Sequence, residues 1–167
     1  MSGPSQYFEP LRLAETQETL AGQLDVSSLP RLAALLADTS GSVAFELSFS
    51  RSDNGTVRIT GAISTEVQLL CQRCLQPMAV TVNSPVSFAM TGTRPGDAAA
   101  PVTDAEPLVL EDHRIHLGTF VEDEILLGLP MVPMHAPEQC PAAADVDRAG
   151  REHNRPFEIL KALKSKT

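Results

Sequence analysis

The sequence predicts an α+β fold, an antiparallel β-meander sheet with two to three packed helices in a single domain. Three observations predict it. Alternation of period two recurs through the middle of the chain, from "SVAFELSFS" to "SPVSFAM", as half-buried strands require. Apolar spacing of helical period flanks that region on both sides. The length of 167 residues lets one domain bury a core without disulfides.

Taken in order, "QYFEPLRLAE" reads as extended, with Pro10 demoting it to an edge or interrupted strand. "ETLAGQLDV" is a second strand, broken or bulged at Gly22. "VSSLPRLAALLADTSG" predicts a helix: Ser27 or Ser28 can cap it and Pro30 suits its first turn. Leu32, Leu35 and Leu36 line one face before Gly41. Val43, Phe45, Leu47 and Phe49 then alternate along a strand, and Asn54-Gly55 turns it into a hairpin because both positions tolerate positive φ. "VRITGAISTEVQLL" continues the sheet with a bulge expected at Gly61, and "MAVTVNSPVSFAM" returns on the far side of "CQRC".

Residues 91–106 have the Gly, Pro, Ala and Asp content of a flexible acidic loop. After a short strand at "LVLED", Leu117, Phe120, Val121, Ile125 and Leu129 mark one face of a helix that Pro130 stops. On that helix Glu122 and Glu124 read as a solvated acidic face. Asp123 reads as turned inward and paired with Arg73 or Arg114. A further loop carries His135 and Cys140. Residues 148–167 predict a basic C-terminal helix or tail, with Phe157, Leu160 and Leu163 at helical spacing.

Composition narrows the function. The formal charge of −8 is uneven: residues 1–147 hold 7 Lys/Arg against 19 Asp/Glu, and residues 148–167 hold 6 against 2. Such an acidic body repels phosphate backbones and attracts basic partners. With no Trp and one Tyr, a surface of aromatic stacking platforms for single strands is disfavoured. The N-terminus lacks a secretory pattern, no apolar run approaches spanning length, and three cysteines make no disulfide framework. These features predict a cytoplasmic protein whose thiols stay reduced.

The thiols are the chemistry to explain. Cys71 and Cys74 form C-x-x-C at a turn between two strands, and His135 and Cys140 form H-x4-C in a distant loop. Zinc favours Cys and His delivered as two short-spaced pairs, and turn amides can donate to the sulfurs. Buried inert thiols explain the same residues equally well, since free Cys is often buried. A redox pair ranks lower, because it normally sits between a strand and a helix. Catalysis finds little support. His113, Arg114 and His116 lie near Glu111 and Asp112, without a nucleophile or phosphate loop. Glu122, Asp123 and Glu124 spread around a helix axis instead of converging.

Three blocks in order, "CQRCLQP", "VEDEILLGLPMVPMHAPEQC" and "NRPFEILKALKSK", resemble the YceD family of large-subunit ribosomal RNA accumulation proteins. The resemblance covers about residues 40–167. The matching positions are Cys71, Arg73 and Cys74, then Glu122, Asp123, Glu124, Pro130, His135 and Cys140, then Pro156 and Phe157. One departure is Arg155, which separates Asn154 from Pro156 where the family has Asn directly before Pro-Phe. The resemblance implies a non-enzymatic role in synthesis, processing or accumulation of large-subunit (23S) ribosomal RNA. It also raises the expectation that Cys71, Cys74, His135 and Cys140 act together, holding a structural Zn2+.

Two modes of action follow. In the first, an acidic surface that includes Glu122, Asp123 and Glu124, with Arg73 beside it, binds a basic large-subunit ribosomal protein or ribosomal precursor. Ribosomal RNA is then reached indirectly, with no membrane and no small-molecule substrate involved. In the second, the tail residues Arg148, Arg151, Arg155, Lys161, Lys164 and Lys166 contact RNA directly.

Overall fold

The computed structural model describes residues 6–52, 55–90, 105–109 and 113–142. The predicted basic tail and residues 91–104 of the predicted acidic loop lie outside the described residues. Strands are β1 (Tyr7–Phe8), β2 (Thr19–Asp25), β3 (Ser42–Arg51), β4 (Val57–Leu70), β5 (Pro77–Met90), β6 (Glu106–Leu108) and β7 (Ile115–His116). Helices are α1 (Pro10–Glu15), α2 (Pro30–Ala33) and α3 (Leu117–Gly128). Five strands form one sheet in the order β2-β3-β4-β5-β6, and β1 pairs with β7 apart from it.

The meander is the one the alternation predicts. β2 through β5 are antiparallel neighbours in sequence order. Only β6 departs, running parallel to β5 from Phe88↔Glu106 to Met90↔Leu108. It begins before the predicted "LVLED" strand and shares only Leu108 with it. Pairing runs without a gap through Gly22 and Gly61, so the bulges predicted there do not form. Gly61 serves close approach instead. Its φ is +157°, and a Cβ there would sit 1.9 Å from the Glu46 carbonyl oxygen. It lets β3 approach β4 where a side chain would part them.

One face of the sheet is dry. Val43, Phe45, Leu47 and Phe49 of β3 meet Val57, Ile59, Ile63, Val67 and Leu69 of β4, and Val82 and Val86 of β5 continue the layer. α1 covers β3 and β4, and α3 covers β4 and β5. Phe8 bridges the layers, with ring centroids 5.5 Å from Phe49 and 5.8 Å from Phe120.

Two predicted elements are corrected. The segment expected to be extended after Pro10 is instead α1, where Pro10 takes a first-turn position with its φ already helical. Burial of Pro10, Leu13 and Ala14 on the sheet decides the matter. The long helix predicted over "VSSLPRLAALLADTSG" shrinks to a 3-10 turn at Val26–Ser28 and the single turn α2. β4 outruns β3, whose pairing with it ends at Ala44↔Ser64. The chain therefore leaves the helix so that the Ala37 amide can donate to the Gln68 carbonyl at 2.7 Å and Asp38 can bridge to Gln68. Backbone groups on an exposed strand edge outweigh a marginal helix.

Candidate metal centre

The β4–β5 hairpin projects beyond the rest of the sheet, and Cys71–Gln76 form its tip. The Leu75 amide donates to the Cys71 carbonyl at 2.8 Å, and the Cys71 amide to the Gln76 carbonyl at 2.9 Å. This tight turn sets both thiols on one side. Leu75 adopts a left-handed φ of +59° while 68% exposed; that conformation orients the next amide, Gln76, toward the Cys74 sulfur.

The second half comes from the chain beyond α3. Pro130 forbids further helix, and the extended segment crosses to the hairpin tip, where the Gln72 amide donates to the Pro133 carbonyl at 2.9 Å. The His135 amide then donates to the Cys71 sulfur at 3.4 Å, and His135 Nδ1 lies 3.3 Å from Cys74 Sγ. A 3-10 turn at Pro137–Gln139 delivers Cys140, which is buried. The ligand atoms of Cys71, Cys74, His135 and Cys140 all lie within 4.8 Å of one another. Four donors around zinc, with bonds near 2.3 Å to sulfur, stand roughly 3.8 Å apart. The tetrad therefore fits such an ion after a small contraction.

The electrostatics agree with that donor set. Burial pushes the Cys71 thiol up, but the amides of Cys74, His135 and Arg73 outweigh it and hold the thiol down to about 5. At Cys74 the Gln76 amide favours the thiolate, yet burial and the neighbouring sulfurs of Cys71 and Cys140 push the thiol up overall. Several sulfurs this close cannot all carry charge unless a cation joins them.

The acidic helix is corrected in detail. Glu122 and Glu124 are not a solvated face: they are 4% and 9% exposed, and it is Asp123 that reaches solvent. Glu122 Oε1 accepts from the Arg31 and Leu32 amides at 2.7 and 3.0 Å, and Oε2 accepts from Arg31 Nε at 2.8 Å. It thus caps the first turn of α2 from another element. Burial raises the Glu122 carboxyl, but the Leu32 amide and the Arg31 contacts prevail and hold it below the usual range. Asp123 pairs with Arg31 at 2.7 Å, not with Arg73 or Arg114 as predicted. Arg73 instead turns to Met134 Sδ at 3.9 Å, and Arg114 lies over the Tyr7 ring at 4.8 Å. His116 Nδ1 accepts from the Thr119 amide at 3.0 Å and so caps α3. Arg31 had no signal in the sequence, lying 91 residues from Glu122. Arg148, Arg151, Arg155, Lys161, Lys164 and Lys166, predicted as RNA contacts, lie outside the described residues.

A helix-covered meander, pinned at the tip of its longest hairpin by a Cys3His tetrad, defines a small α+β domain with a candidate structural metal centre. The chain belongs to the YceD family: the family described as "Large ribosomal RNA subunit accumulation protein YceD" matches residues 59–164, more than half of its length. Among curated proteins it is similar to the large ribosomal RNA subunit accumulation protein YceD of Haemophilus influenzae. The two are 28% identical over 166 residues, covering 95% of this chain and 94% of the relative. No solved structure matches it. Among the described residues no helix is long and apolar enough to cross a membrane.

Proposed function

We propose that the protein is a non-enzymatic ribosome biogenesis factor of the cytoplasm that supports accumulation of large-subunit ribosomal RNA through contacts with a basic ribosomal protein. Family membership supports the ribosomal role. The observation that carries the mechanism is the tetrad itself, whose four donors converge from two segments far apart in the chain. Cys71, Cys74, His135 and Cys140 would hold a structural Zn2+. Bound there, the ion would supply a crosslink and charge neutralisation, with no step of catalysis. The chain's own residues then fix the outcome. The loop from Pro130 to Cys140 is tied to the hairpin tip, and α3 is held at mid-length by Glu122, which caps α2. Asp123 and Arg73 remain for a partner to touch, whereas Glu122 acts by positioning.

The test combines metal analysis with a genetic readout. Protein purified without a histidine tag is expected to carry about one zinc per chain, falling to near zero in Cys140→Ser. Cells lacking the gene should regain large-subunit ribosomal RNA with the intact gene and fail to regain it with Cys140→Ser. Stoichiometry far below one in a fully folded protein would remove the clamp. Affinity purification should recover a basic ribosomal protein in a salt-sensitive manner. RNA shifted by the full chain but not by residues 1–147 would favour direct RNA contact through the tail.

A further inference from the structure

A cleft of about 600 Å3 opens between the end of α3, β5 and the start of β6. Its polar lining is Asn83, Ser84, Ser87, Glu106 and Glu124, and its apolar walls include Pro85, Phe88 and Leu127. It lies away from the tetrad and has no part in the clamp. Glu124 is only 9% exposed, and it meets a neutral group, the Ser84 hydroxyl, which donates to Oε2 at 3.3 Å. Among the described residues no Lys or Arg forms an ion pair with it. Glu122, on the same helix and also buried, has both a guanidinium and two amides. A buried carboxylate without a cation is costly. Burial, with the Glu106 and Asp123 charges adding to it, pushes the Glu124 carboxyl up.

We infer that this cleft is a binding site for an organic cation on an aliphatic stem, received from a Lys or Arg side chain of a basic protein segment. The chemistry of the walls selects that ligand. Glu124 at depth and Glu106 at the β6 edge would flank the cationic head. Phe88, Pro85 and Leu127, which is 79% exposed, would lie along the methylene stem, as apolar surface does beneath long charged side chains. A hard divalent ion would draw on Glu106 and Glu124 with the neutral Asn83, Ser84 and Ser87, but it would leave the Pro85, Phe88 and Leu127 walls without a role. The volume exceeds one side chain, so neighbouring residues of an extended segment can enter with it. This inference deepens the reading of a basic protein partner and rests on it for the partner's class alone.

The test uses the full chain, verified for metal content, and reads amide resonances of Ser84, Phe88, Leu127 and Gly128. The probes are an end-blocked Gly-Lys-Gly-Lys-Gly peptide, its norleucine counterpart and 1,5-diaminopentane. The lysine peptide is expected to shift these resonances saturably. Glu124→Gln should weaken it at least tenfold with the fold intact, and Glu106→Gln should weaken it less. Equal potency of diaminopentane at the same resonances would assign the cleft to free amines, overturning the protein source but keeping the cation site. Equal binding of the norleucine peptide, shifts spread over the whole acidic surface, or indifference to both substitutions would overturn the site itself. These readouts need no ribosome, so they can fail while the genetic test succeeds, and the reverse.

Discussion

Leu75 and Gly61 show how single backbone positions govern the hairpin that carries two of the candidate metal ligands, Cys71 and Cys74. Leu75 holds φ at +59° with its side chain mostly in solvent, so the left-handed strain brings little packing in return. Leu75→Gly is expected to raise stability by about 0.5–1 kcal/mol in denaturant titration, the strain relief exceeding the added freedom of the unfolded chain. Gly61 responds in the opposite direction. A Cβ at 1.9 Å from the Glu46 oxygen must displace β3, so Gly61→Ala should cost more than about 3 kcal/mol or leave the protein unfolded. A melting curve for Gly61→Ala matching the parent would refute the close approach. The glycine was legible as a special position, but an unbroken strand register and a bulge look alike in one sequence. The distinction lies in Glu46, on a different strand.

Among the helices, α3 and the short α2 are joined at Arg31 by the exposed Asp123 and, more deeply, by the buried Glu122. Its folded carboxyl lies below the ordinary value, so its ionised form stabilises the protein at pH above the unfolded value of about 4.3. That contribution is lost as pH falls through the lower folded value. Acid titration of stability should therefore show a decline below about pH 5 that Glu122→Gln flattens. At neutral pH, Glu122→Ala should cost about 2–4 kcal/mol, combining a lost cap with a lost buried charge contact. Glu124 has the opposite sign. Its carboxyl is pushed up, so the ionised form opposes folding as pH rises above the unfolded value, and Glu124→Gln should melt no lower than the parent at pH 7. A lower melting temperature for Glu124→Gln would show that the charge has a partner. The helix itself was legible, because Leu117, Phe120, Val121 and Ile125 recur at helical spacing and are all buried. The faces of its acids were not, since a charged triplet reads as solvated until a capped turn or a cleft is placed against it.

Across the molecule, stability is expected to divide between a sheet core that does not involve the tetrad and an end that a metal-loaded tetrad would secure. Structural zinc contributes roughly 10 kcal/mol or more in small domains, comparable to the entire stability of many folds. Chelation is therefore expected to lower hydrogen-exchange protection first at residues 70–76 and 131–142. Protection at Phe45, Leu47 and Ile59 should persist longer, because the core around them does not involve the tetrad. Uniform loss of protection would mean that the ion organises the entire fold, and no loss would mean that the thiols are merely buried. The same division explains why the tetrad could be suspected and yet not assigned from spacing. The two halves of the motif are separated by 61 residues, and their meeting depends on the length of β4, the stop at Pro130 and the Gln72–Pro133 hydrogen bond together.

The order of amino acids was enough to specify the features whose information is local: the alternating strands of the meander, the apolar stripe of α3, and a C-x-x-C turn between paired strands. Consecutive residues carry those periodicities, so no distant partner is needed to read them. Packing in three dimensions was required to establish that Pro10 opens a helix and that Glu122 caps α2 beside Arg31. It was required as well to line a cleft with Glu124 and to bring His135 and Cys140 to the hairpin tip. Each of these outcomes depends on which surface is buried against which. The energy of a buried charge, an edge amide or a crowded sulfur belongs to its neighbours in space, and a chain read in order does not contain them.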